Sequence, residues 1–134
     1  MKLLAIVGTV FAFGAGSVGV QAHSSRYGKV LFDQRGFVVY GFTGDSRTSS
    51  TCYGTCAKAW PPLLVSGSVK ALKGVDRAKL GSVTRRGGAR QVTYAGHPLY
   101  YYVGDTRAGQ ILCQNIREYG GLWLVVAPSG KLVR

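Results

Sequence analysis

Apolar residues in this chain fall in short runs broken by glycine and polar residues, and nowhere at the spacing a long helix needs. Tyr27-Gly-Lys-Val-Leu-Phe-Asp33 reads as a strand, Gln34-Arg-Gly36 as a turn, and Phe37-Val-Val-Tyr-Gly-Phe42 as the returning strand of a hairpin. The pattern returns in Val83-Thr-Arg85 and Arg90-Gln-Val-Thr-Tyr94, separated by Gly87-Gly88. Leu122-Trp-Leu-Val-Val126 is the most apolar strand, and Pro128-Ser-Gly130 turns it into Lys131-Leu-Val133. One helical turn is predicted from about Thr55 until Pro61 and Pro62 stop it. A second runs from the capping Asp76 to Gly81. Val65 to Lys73 reads as a loop with a short strand. The expected fold is all-β and mainly antiparallel: a small sandwich or partly closed barrel with one or two single-turn helices.

The runs also repeat. Tyr40-Gly-Phe-Thr-Gly-Asp45 returns as Tyr100-Tyr-Tyr-Val-Gly-Asp105, each copy reading Tyr-x-aromatic-x-Gly-Asp, with a glycine (Gly36, Gly96) four residues before its leading tyrosine. This is an internal duplication, so the fold is expected to contain two related hairpin units packed together. Tyr40, Phe42, Asp45, Tyr100, Tyr102 and Asp105 are read as its structural residues. Each aspartate is expected to accept amide hydrogen bonds two or three residues on, in an Asx-turn.

The chain begins with Met1-Lys2, an apolar run from Leu3 to Val20, and the small-residue sequence Val20-Gln-Ala22. Residues 1–22 therefore read as a secretory signal peptide, 23–27 as a disordered lead-in, and 28–134 as one domain. Four glycines in the apolar run argue against its retention as a membrane anchor. Export to the periplasm or beyond is the expectation, without lipidation, since no cysteine lies near the cleavage site.

Charge adds a partner class. With 17 Lys and Arg against 5 Asp and Glu, the formal net charge is +12. The basic residues are spread out, which points away from a specific nucleic-acid arm and toward an anionic envelope component: lipid head groups, wall polymer or acidic polysaccharide. Rings interleaved with the charge, Tyr53, Tyr101 and Tyr119 with Arg85, Arg86 and Arg90, form the candidate ligand surface. A catalytic role finds little support. The five carboxylates are unpaired in sequence, and no Gly-x-Ser-x-Gly elbow is present.

Cys52, Cys56 and Cys113 cannot all pair within one chain, so one thiol stays free, bridges to a partner, or joins the others on a metal. By loop entropy alone, closing Cys52 onto Cys56 is worth about 2 kcal/mol and closing either onto Cys113 about 4 kcal/mol.

The two motif copies, the block Cys52-Tyr-Gly-Thr-Cys56-Ala-Lys-Ala-Trp60-Pro61-Pro62-Leu63, the segment Gln91 to Tyr100 and Gly120-Gly-Leu-Trp123 together resemble a bacterial secreted-repeat family of unknown function. Its members are described as predicted lipoproteins with a Tyr-x-aromatic-x-x-Asp motif. The resemblance covers about residues 28 to 131 and implies an exported β-rich module with no assigned catalytic residues. It places Cys52 and Cys56 in one motif, which implies a disulfide between them. Two features depart from it: the lipobox cysteine of lipoprotein members is missing, and Cys113 lies outside the pattern. The reading is a binding or structural envelope component that needs no cofactor. The alternative is a copper-binding or electron-transfer accessory protein using Cys52 and Cys56 with His97.

Overall fold

The computed structural model describes residues 17–47 and 49–134. Nine strands and two single-turn helices make up these residues: β1 (Val18–Ser25), β2 (Gly28–Asp33), β3 (Tyr40–Phe42), α1 (Thr55–Ala59), β4 (Val69–Ala71), a 3-10 turn at Arg77–Lys79, β5 (Leu80–Thr84), β6 (Arg90–Tyr94), β7 (His97–Pro98), β8 (Ile116–Glu118) and β9 (Gly121–Val125). They form three three-stranded sheets, ordered β2-β1-β4, β3-β9-β8 and β5-β6-β7. Every pairing is antiparallel except β1 with β4. The all-β expectation holds, as three small sheets and not as a closed barrel.

The apolar runs are continuous because several strands are buried on both faces. Val30 and Phe32 face one core cluster while Leu31, between them, faces the other. Val38 and Tyr40 likewise face the first cluster, and Val39 the second. Alternation along a strand sends successive side chains to opposite sides, so two cores on either side of one layer need apolar residues at every position. The first core is aromatic, built on Trp60, Trp123, Tyr40 and Tyr100; the second is aliphatic, with Val20, Leu31, Val39, Leu63, Val92, Leu99 and Val126.

Residues 1–16 of the expected leader lie outside the described residues, while its last residues, Val18 to Ala22, form most of β1, the central strand of its sheet. Val20 pairs with Asp33 and Ala22 with Leu31 on one side, while Val18 to Val20 run parallel to β4 on the other. Val20 is fully buried, Val18 and Ala22 nearly so. The lead-in 23–27 is likewise ordered, His23 to Ser25 completing the same strand. Small apolar residues suit a cleavage site and a buried strand equally, so composition alone could not separate the two. The expected hairpin is present but short: Phe37 to Val39 returns antiparallel on β2 through the bridge Phe32 to Val38, with Asp33 N donating to the Phe37 carbonyl at 2.8 Å and Val39 N to the Leu31 carbonyl at 3.2 Å, while the longer partner of β2 is β1 and the end of the run, β3, pairs with β9.

Candidate functional site

The two motif copies meet at their leading tyrosines. Tyr40 and Tyr100 form an antiparallel bridge, each amide donating to the other's carbonyl at 2.8 and 2.9 Å. Their hydroxyls then cross over: Tyr40 Oη donates to Asp105 Oδ2 at 2.7 Å, and Tyr100 Oη to Asp45 Oδ2 at 2.8 Å. Each aspartate that closes one copy is thus bound by the tyrosine that opens the other. Its second oxygen holds its own loop, Asp45 Oδ1 accepting from Thr51 N at 2.8 Å and Asp105 Oδ1 from Leu112 N at 2.9 Å. The amides lie six and seven residues on, so the expected Asx-turn is replaced by a longer loop clamp. Burial raises the pKa of both aspartates, against the hydrogen bonds that lower it. Burial likewise raises both tyrosines far above the usual phenol range.

The aromatic positions obey the same pseudo-symmetry. Trp60 meets Tyr40 edge-on and packs against Tyr102; Trp123 meets Tyr100 edge-on and stacks on Phe42. Both indole N–H groups reach Glu118, Trp60 Nε1 donating to its Oε1 at 2.9 Å and Trp123 Nε1 to its carbonyl at 3.0 Å. The motif glycines follow from this packing. A Cβ at Gly44 would run into the Phe42 ring, and one at Gly104 into the Tyr102 ring. Sequence reasoning missed Glu118, which lies in no motif.

Cys52 and Cys56 form a disulfide that ties the loop before α1 to its first turn, with Cα atoms 5.3 Å apart. The copper reading required both thiolates, and a disulfide has none to offer. His97 sits in the short strand β7, half-buried, its pKa lowered by burial and by the nearby Arg47 charge. Among the described residues no group of three His, Cys, Asp or Glu side chains is placed to hold a metal ion. Cys113 is a free, buried thiol whose pKa burial raises.

The candidate ligand surface divides. Arg85 is not on it: buried, it donates to Ser50 Oγ at 2.8 Å, Gln91 Oε1 at 2.9 Å and the Cys52 carbonyl at 2.8 Å. Through Ser50, which also bonds Tyr100 Oη, this guanidinium supports the Asp45 clamp. Tyr101 is also committed, donating to the buried Asp33 at 2.7 Å beside the Arg35–Asp33 ion pair at 2.9 Å. Tyr119 is exposed at the tip of the β8–β9 hairpin, where it and Gly120 both take positive φ. Arg90 is exposed and donates to Ser82 Oγ at 2.7 Å.

Tyr53 and Arg86 remain together. The Arg86 guanidinium lies 3.9 Å and that of Arg85 4.2 Å from the Tyr53 ring centre, so the ring is an anchor for cations more than a platform for a ligand. The Arg86 amide donates to Tyr53 Oη at 3.0 Å, fixing the strand end. Beside them lies an open depression of about 430 Å³ lined by Ser49, Ser50, Thr51, Tyr53, Thr84 and Arg86: hydroxyls and one cation, with no carboxylate.

Asp33, Asp45 and Asp105 accept internal hydrogen bonds at both carboxylate oxygens, the exposed Glu118 at one, and Asp76 caps the 3-10 turn. Among the described residues the ion pairs are Arg35 with Asp33 and Lys79 with Asp76. Among the described residues no other basic side chain lies within ion-pair distance of a carboxylate.

A model of a family described as a secreted repeat of unknown function matches this chain twice, over residues 22–64 and 81–127. Each matched segment holds one Tyr-x-aromatic-x-Gly-Asp copy and one of the two tryptophans, so the matched units are the halves that interlock at Tyr40 and Tyr100. No curated protein and no solved structure matches the chain.

Proposed function

Since the chain belongs to the family of secreted repeats of unknown function, we propose that it is an exported module that binds an anionic envelope polymer through its cationic surface. Arg86, held by Tyr53, and Arg90 are its leading contacts. The observation that carries this reading is the one-sided use of charge. Asp33, Asp45 and Asp105 are turned inward and the exposed Asp76 and Glu118 are outnumbered by exposed bases, so the field outside the molecule is set mainly by the bases. The hydroxyl-lined depression beside Arg86 suits a sugar polymer bearing carboxylates, since hydroxyls can bond sugar oxygens while the guanidinium takes the acid. Acidic polysaccharide is therefore placed ahead of lipid head groups and wall polymer, as a binding role without catalysis.

The test is retention of residues 17–134 on an immobilised polyuronate at about 0.15 M salt, where exposed charges more than roughly 8 Å apart are screened. Retention should fall as salt rises, and Arg86→Glu with Arg90→Glu should weaken it well beyond a double reversal at Lys70 and Lys131. Passage of the unaltered domain through the column at that salt would end the proposal.

A further inference from the structure

A second depression lies apart from the Tyr53–Arg86 surface and shares no residue with it. It is an open cavity of about 580 Å³ between the end of β1 and the loop after Asp105. Phe32, Ala108, Ile111 and Leu112 supply its apolar part, and His23, Ser24, Ser25 and Arg26 its polar rim. Its volume falls within the range of small-molecule sites. Leu112 is 59% exposed there and leaves its side chain to water at the mouth of the cavity.

The duplication supplies an internal comparison. Gly36 and Gly96 are the matching glycines of the two copies. Beside Gly96 the loop after Asp45 lays down Arg47, whose Cγ would lie 3.4 Å from a Cβ placed there. Beside Gly36 the loop after Asp105 offers only Ala108, with its Cβ at 3.2 Å, and the Gly109 amide donates to the Gly36 carbonyl at 2.9 Å. In one half a long side chain covers the glycine; in the other a methyl group does, and the space stays open. The covering of the two glycines is therefore a difference between the copies and not a product of the repeat itself.

We infer that this cavity is a binding site for a single-chain aliphatic carboxylate. An apolar chain would cover Phe32, Ile111 and Leu112, removing from water the surface that Leu112 now exposes. The acid would meet Arg26, which has no ion pair among the described residues, and Ser24. No carboxylate lines the cavity to repel it. Arg26 is the one permanent cation on the rim, so charge balance favours a monovalent carboxylate over a phosphate dianion.

Dodecanoate below its micelle concentration, titrated into residues 17–134 and followed by calorimetry and by amide shifts, is the probe. Saturable one-to-one binding should move the amides of Phe32, Ile111 and Leu112. Ala108→Trp, which fills the cavity without changing charge at an exposed position, should abolish it. Arg26→Gln should weaken it by about ten-fold, the loss of one charge-assisted contact, and dodecanol should bind correspondingly weakly. The inference is overturned if dodecanoate does not saturate, if Ala108→Trp binds as well as the parent, or if dodecanol binds as tightly as the acid. Polyuronate retention should be unchanged in Ala108→Trp, so this site and the Arg86 surface can fail independently.

Discussion

Trp60 and Trp123 stack face to face at the centre of the fold, ring centres 4.0 Å apart and planes within 8°. One comes from each matched half, and both are fully buried. The stack joins the two copies through side chains where the Tyr40–Tyr100 bridge joins them through backbone. Neither half can bury its tryptophan alone, so the domain should unfold as one unit.

Trp60→Ala and Trp123→Ala should each cost about 3–5 kcal/mol, as expected for emptying a buried aromatic site. In a double-mutant cycle with the milder Trp→Phe changes, the coupling should reach about 0.5–1.5 kcal/mol. Urea denaturation followed by far-UV circular dichroism measures both. Additive effects would mean that the stack does not couple the halves.

Gly44→Ala and Gly104→Ala test why the motif keeps its glycine. Neither residue has positive φ, so the penalty comes from the Phe42 or Tyr102 ring alone. Because each ring is held against a tryptophan, it cannot swing away freely. A loss of about 1–3 kcal/mol is expected for each. Full rescue of Gly44→Ala by Phe42→Leu would locate the conflict in the ring.

Alkaline pH should destabilise the protein steeply. Burial raises Tyr40, Tyr100 and Tyr101 above their ordinary value near 10. Between the unfolded and folded values the native state holds more protons, so unfolding becomes easier as pH rises. The stability is fully present below about pH 10 and is lost above it. Tyrosinate absorbance near 295 nm should therefore show a late fraction that ionises only with loss of structure. The variant Tyr40→Phe should remove part of that late fraction. A single titration of all tyrosines near pH 10 with the fold intact would refute the assignment.

Export processing should leave β1 whole. Cutting after Ala22 would remove Val20 and Ala22 from the aliphatic core and leave β4 without its partner. The mature protein recovered from its native envelope should begin at or before Val18, as intact mass reads directly. A chain beginning at His23 should be markedly less stable than one beginning at residue 17. A native mature form starting at His23 would contradict the placement of β1.

Much was legible in the sequence: an all-β class, two related units, both single-turn helices, and, through the family resemblance, the Cys52–Cys56 pairing. The class, the units and the turns follow from local spacing and composition, which short β-branched and aromatic runs, glycine placement and capping residues record directly. Tertiary structure alone decided that Val18 to Ala22 are core strand, since a small apolar segment has the same composition in a leader and in a sheet. It decided that Arg85 and Tyr101 are internal, because burial of a polar side chain depends on acceptors distant in the chain. It also crossed the tyrosine of each copy to the aspartate of the other. A repeat in one dimension states that two units are alike, but only packing them about a common bridge determines which residues of one complete the other.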